Sequence, residues 1–177
     1  MESGSEQLLN NLTLKCTAGD TKIATPSGER AISNLRRGDS VLAFSAKLET
    51  GKLELSSVEA KVTFSDGTQG QNRALYISFG SDKEIICTLD QIFLLSNGKY
   101  IVGAKLRPGL DLVDGNGNPV AINSVSMGYY SGIIHNIALD NFKITNPDGH
   151  LLLAQGVIIG DYAFQVSFDS LSDSLKE

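Results

Sequence analysis
The thiol and imidazole chemistry open to this chain rests on four residues, Cys16, Cys87, His135 and His150. A cysteine in its thiolate form is a nucleophile and a metal ligand. Two cysteines make no disulfide framework, and without a Cys-x-x-Cys pair or a tight His/Cys/carboxylate cluster no metal site and no cofactor is assigned. Nor is there a recognisable Cys/His/Asp arrangement of the kind a thiol hydrolase acting on other molecules needs. Cys87, flanked by Ile86 and Thr88 in an apolar run, reads as a buried strand cysteine; His135, among Ile133, Ile134 and Ile137, reads as an ordinary strand residue. Cys16 differs in its downstream sequence: a Gly19-Asp20 turn, an apolar stretch, a Pro26-Ser27-Gly28 turn and the run Leu35-Arg36-Arg37-Gly38-Asp39-Ser40-Val41.

Positioning such residues falls to many short strands. Thr21 to Ala24, Ser40 to Phe44, Ser57 to Phe64, Leu75 to Phe79, Glu84 to Thr88, Gln91 to Leu95, Tyr100 to Val102, Asp111 to Val113, Val120 to Met127 and Gly132 to Leu139 are rich in β-branched, aromatic and aliphatic residues. Turn signals separate them, among them Asp66-Gly67, Ser96-Asn97-Gly98, Asp114 to Pro119 and Pro147-Asp148-Gly149. The spacing predicts an all-β domain, and the 18 glycines suit its tight turns and bent strands. Helix is expected only at the margins: Leu8, Leu9 and Leu12 before Cys16, and Phe168, Leu171 and Leu175 in the tail, each too short to stand alone. Asn34 to Val41 is echoed by Lys105 to Leu112, each a leucine, a glycine-ended turn and a strand, which points to two copies of one β unit.

The 177 residues suit one domain, and 15 basic against 20 acidic residues, a net charge of -5, argue against nucleic acid or an anionic membrane surface as partner. No apolar run reaches the roughly 18 residues that cross a bilayer, and the first six residues lack the basic and apolar regions of a signal peptide.

Cys16 to Phe44 resembles the opening of the Hint (Hedgehog/intein) self-processing family, as a divergent, intein-like member, and the resemblance covers about residues 14 to 165. It implies a Hint-type horseshoe of short twisted strands with a pseudo-two-fold repeat, its ends meeting at the reactive cysteine. Residues 1–13 would then be a flanking segment and 166–177 a tail with a possible short helix. The family's strand followed by Thr-x-x-His is matched by Glu84 to Thr88, then Leu89, Asp90 and Gln91, with Gln91 in the histidine's position. Its closing motif is matched from His150 to Ile159; inteins then end on His-Asn, where this chain has Gly160-Asp161, and Tyr162 stands in place of the downstream Cys, Ser or Thr.

The resemblance implies single-turnover, cysteine-dependent autoproteolysis in which the chain's own flanking polypeptide is the substrate. Cys16 attacks the carbonyl of Lys15 to give a thioester, Thr88 supplies a hydroxyl contact, and Gln91 orients by hydrogen bonds but has no pKa with which to act as an acid. That makes the reaction slow, since general acid help is typically worth ~10²- to 10⁴-fold. By family position His150 is the substitute acid; otherwise it is a turn histidine after Gly149. Asp161 and Tyr162 do not meet the needs of splicing, so cleavage by water or a small nucleophile is expected, while Asp161 reads equally as a surface acid. Phe64-Ser65-Asp66 resembles the aspartate arrangement that activates a hydroxyl acceptor in Hedgehog-type members, against a plain Asp66-Gly67 turn. The alternative for the whole chain is a catalytically degenerate Hint fold kept as a binding or structural module.

Overall fold
The computed structural model describes residues 16–140 and 144–177. Their strands are β1 (Thr17–Ala18), β2 (Lys22–Thr25), β3 (Gly28–Ala31), β4 (Ser40–Glu49), β5 (Lys52–Phe79), β6 (Lys83–Cys87), β7 (Ile92–Leu94), β8 (Tyr100–Val102), β9 (Asp111–Val113), β10 (Pro119–Leu139), β11 (Leu151–Ala154) and β12 (Val157–Gly160). After β12 comes a short helix, α1 (Tyr162–Ser167). The pairings among these strands are antiparallel, in the order β8-β7-β12-β11-β4-β5-β6-β1-β10-β9, with β2 and β3 off this path and a further pairing of β5 with β10. The all-β horseshoe expected from the sequence is the fold observed. Leu8, Leu9 and Leu12 lie outside the described residues.

The echo between Asn34 to Val41 and Lys105 to Leu112 is structural. Each copy starts at a 3-10 turn, Ile32–Asn34 or Gly103–Lys105. Each buries its leucine (Leu35, Leu106), turns at a left-handed glycine (Gly38 at φ 95°, Gly109 at φ 98°) and enters a strand through a buried aliphatic, Val41 or Leu112. Only glycine holds that φ without steric cost, so the same residue recurs at the same point of each half. The two long strands of the ribbon, β5 and β10, pair with each other from Phe79 opposite Ile122 to Val62 opposite Leu139.

The Asp66-Gly67 turn is the reading that fails. Asp66 sits opposite Asn136 and Gly67 opposite His135 inside one 28-residue strand, where the sequence suggests two strands with a turn between. The polar run Ser65 to Arg73 looks like a loop because that part of the ribbon is solvated, yet β10 meets its backbone hydrogen-bonding needs residue for residue. Gly67 also makes room for the ring of His135: a Cβ there would run into His135 Nδ1 and lie 2.9 Å from the Ile134 carbonyl.

Two apolar clusters fill the body. One joins Ile23, Leu35, Ile77, Phe93 and Leu112; the other joins Phe44, Leu94, Tyr100, Ile158, Phe164 and Leu171. The C-terminal tail belongs to the second. Helix α1 runs across the boundary at 165, Leu171 is 6 % exposed, and Lys176 bridges to Tyr100 in parallel with Glu177 N donating to the Tyr100 carbonyl at 2.9 Å.

Candidate functional site
Strand β1 is two residues long and lies between β6 and β10, with Thr17 opposite both Cys87 and His135. Cys16, just before it, therefore enters where the β5–β6 hairpin and β10 converge. Thr88 follows β6 directly and grips the Cys16 backbone three ways. Cys16 N donates to Thr88 Oγ1 at 2.9 Å, Thr88 Oγ1 donates to the Cys16 carbonyl at 3.2 Å, and Thr88 N donates to that same carbonyl at 2.9 Å. One hydroxyl thus accepts from the nitrogen of the peptide bond joining residues 15 and 16 and donates to the carbonyl one bond further on. Cys16 is 2 % and Thr88 3 % exposed, so these bonds form away from water.

Asn136 on β10 donates from Nδ2 to Cys16 Sγ at 3.4 Å. An amide donor aimed at sulfur favours its charged form. Sequence reasoning missed Asn136. The available signal was a polar His135-Asn136 pair inside an aliphatic strand, where both residues are buried at 7 % exposed. His135 points to the other face of β10, as strand alternation requires, and its Nε2 lies 2.7 Å from Ser65 Oγ, which in turn reaches the Leu35 carbonyl at 2.6 Å. Burial and the Arg36 charge hold the imidazole below its ordinary pKa, against a smaller upward pull from Asp66.

Gln91 is bonded to the other junction. Its Nε2 donates to the Gly160 carbonyl at 3.0 Å and the Ile92 carbonyl at 3.2 Å, which occupies both amide hydrogens. The turn from Thr88 to Gln91, closed by Gln91 N donating to the Thr88 carbonyl at 3.2 Å, has Cys16 at one end and the Gly160-Asp161 junction at the other.

Asp161 is 1 % exposed, so the surface-acid reading is wrong. It caps α1, its Oδ1 accepting from Phe164 N at 2.8 Å, while Oδ2 accepts from Leu139 N at 2.8 Å and lies 3.0 Å from His150 Nδ1. An Asp before a helix satisfies an otherwise orphaned N–H, which is why the chain turns helical immediately after the junction. His150 closes the turn at Asp148-Gly149, its N donating to the Pro147 carbonyl at 2.9 Å, and its buried ring pairs with Asp161 beside the junction. Burial pushes the imidazole pKa down, but the Asp161 hydrogen bond and the charges of Asp161 and Asp140 raise it overall. Burial likewise raises the Asp161 carboxyl, opposed by His150 and the two backbone donors.

Tyr162 opens α1 with its ring stacked on Phe64, centroids 5.3 Å apart and planes 18° from parallel. Phe64 and Asp66 share one face of β5, and Asp66 lies opposite Asn136. Tyr162, Asp66, Asn136 and Cys16 Sγ therefore gather on one side of the ribbon. Burial, then the charges of Cys16 and Asp66, raise the Tyr162 pKa and keep the phenol protonated. Beside Asn136 and Tyr162 lies a cavity of about 10 Å³, lined also by Thr17, Gln91, His135 and Asp161, room for about one water. Cys87 is fully buried, and burial pushes its thiol far up, as an inert strand cysteine requires. Lys15 lies outside the described residues.

No protein-family model matches the chain, and no curated protein matches it. Solved structures do. The bacterial intein-like domain from Clostridium thermocellum superposes with a TM-score of 0.66 at 22 % identity, over 83 % of this chain and 99 % of that one. The gp41-1 intein does so with a TM-score of 0.61 at 19 % identity, over 82 % and 98 %. A DnaB intein from Synechocystis gives 0.59 at 18 %, over 82 % and 97 %. At these identities the likeness is one of fold.

Proposed function
From the intein-type Hint fold as premise, we propose that this is a self-processing domain that cleaves its own chain before Cys16 and does not splice. The observation that carries the reading is the Thr88 grip on Cys16, a contact between residues 72 apart in sequence that leaves the amide nitrogen of Cys16 bonded to a hydroxyl. The Cys16 thiolate attacks the Lys15 carbonyl carbon. The bond from that carbon to the Cys16 nitrogen breaks, the nitrogen takes up a proton and leaves as an amine, and residues 1–15 remain on sulfur as a thioester. Water then opens the thioester, giving a carboxylate on Lys15 and returning the thiol. Asn136 Nδ2 holds the sulfur, and Thr88 Oγ1 accepts from the departing nitrogen throughout. The water-sized cavity beside Asn136 favours the chain itself over a foreign substrate.

Reaction at the other junction is disfavoured by the same geometry. Both Asp161 oxygens are engaged, Gln91 holds the Gly160 carbonyl, and the segment after Asp161 is packed into the core through Phe164. A carboxylate so bound does not cyclise onto its own carbonyl.

The test is intact mass of the purified protein over time, with and without hydroxylamine or dithiothreitol. Loss of residues 1–15, faster with added nucleophile and abolished by Cys16→Ala, is expected. An unchanged mass over several days in hydroxylamine would overturn the reading. That result would favour a retained scaffold instead, for which the commitment of both Gln91 amide hydrogens to other carbonyls already speaks.

A further inference from the structure
We propose that the Tyr162 hydroxyl is a hydrogen-bond donor to the Cys16 sulfur, and that with Asn136 it holds this cysteine as a thiolate. The inference rests on the self-cleavage reading for its purpose but not for its test. Position 162 has no nucleophile's part to play in a chain whose junction is locked, yet the ring is firmly fixed. It stacks on Phe64, one residue beyond the Asp161 cap that starts α1, on the face of β5 that carries Asp66. Asp66 lies directly opposite Asn136, the residue whose amide reaches Cys16 Sγ. Tyr162 and Asn136 also line the same water-sized cavity.

Among the described residues, the charged groups near the sulfur leave a thiolate there in need of hydrogen-bond donors. Asp66 is on the same face and opposes a second negative charge; His135 borders the cavity too, but its imidazole is engaged with Ser65 and held below its ordinary pKa by burial and Arg36. Asp161 is occupied by His150, Leu139 and Phe164, so it supplies no proton to the sulfur. Hydrogen bonds are what a thiolate here has to offset burial and Asp66. A phenol whose pKa is raised by burial and by the charges of Cys16 and Asp66 keeps its proton, which suits it to donate a bond and unsuits it as a nucleophile. Hydrogen bonds to charged groups are stronger than neutral ones.

Thiolate absorbance in the ultraviolet, titrated below the range of phenol ionisation, tests this directly. In the wild type the Cys16 transition is expected below the ordinary cysteine value of about 8.5, and it vanishes in Cys16→Ala, since burial keeps the Cys87 thiol protonated. Tyr162→Phe retains the ring on Phe64 and loses only the hydroxyl. Its transition should move up by about one pH unit, with cleavage at neutral pH slowed roughly tenfold and recovered at higher pH. Midpoints that coincide in wild type and Tyr162→Phe would overturn the proposal. So would a wild-type midpoint at or above the ordinary value, a measurement that needs no variant. The titration reads the thiol even in a protein that never cleaves, so it fails separately from the cleavage reading.

Discussion

Replacing Thr88 by valine removes one hydroxyl and nearly nothing else in volume. That hydroxyl accepts the Cys16 N–H, whereas the Cys16 carbonyl keeps the Thr88 backbone donor at 2.9 Å. With Thr88 3 % exposed, water does not replace it, and a buried donor left without a partner costs about 1–3 kcal/mol. Taking about 2 kcal/mol, the melting temperature of a chain this size should drop by roughly 4 to 8 °C. If the contact strengthens by a similar amount as the departing nitrogen takes up its proton, cleavage should slow by ~10- to 100-fold, at about 1.4 kcal/mol per tenfold. Thr88→Ser keeps the oxygen and should stay within a few-fold of the wild type on both counts. The assay is a mass-resolved time course in hydroxylamine alongside a thermal melt. Wild-type cleavage in Thr88→Val, or serine performing as badly as valine, would refute the argument that the hydroxyl is what matters.

Gln91→His puts a titratable group where an acid is missing; cleavage should accelerate by ~10²-fold or more, read in the same time course, while thermal stability falls because imidazole cannot replace both bonds to Gly160 and Ile92. The His150–Asp161 pair sets a pH slope. A raised histidine pKa contributes stability that is full below about 6.5 and is lost as pH rises through the folded value; the raised Asp161 carboxyl has the same sign. Melting temperature should therefore decline as pH rises above about 6.5, and His150→Gln, which keeps a donor for Asp161, should flatten the curve; a wild-type curve that climbs with pH would contradict this. Gly67→Ala should lose about 1–3 kcal/mol by overpacking, measured by denaturant melts, because its Cβ meets His135 Nδ1 and the Ile134 carbonyl.

Much of the architecture was legible because it depends on local signals: the doubled leucine–glycine–strand unit at Leu35 and Leu106 reads as a repeat and is one. The link between Cys16 and Thr88 was legible through resemblance alone, since nothing in spacing brings together residues 72 apart. Where long-range pairing overrules local preference, sequence reading failed. Asp66-Gly67 has turn chemistry, but β10 supplies a partner for each residue and the chain runs straight. The burial of Asp161 and the role of Asn136 were illegible for a related reason. Polar residues give no apolar-pattern signal, and their burial depends on donors and acceptors from elements far away, Leu139 and His150 for one and Cys16 for the other.

Strand β8 stands last in its row, the position from which an exposed backbone can recruit a strand from a second molecule. Lys176 and Glu177 take that position instead, through the bridge to Tyr100 and the bond to its carbonyl, with Leu171 anchoring the approach. The chain thereby occupies the β8 edge with its own tail, leaving less backbone free there for a strand from a second molecule.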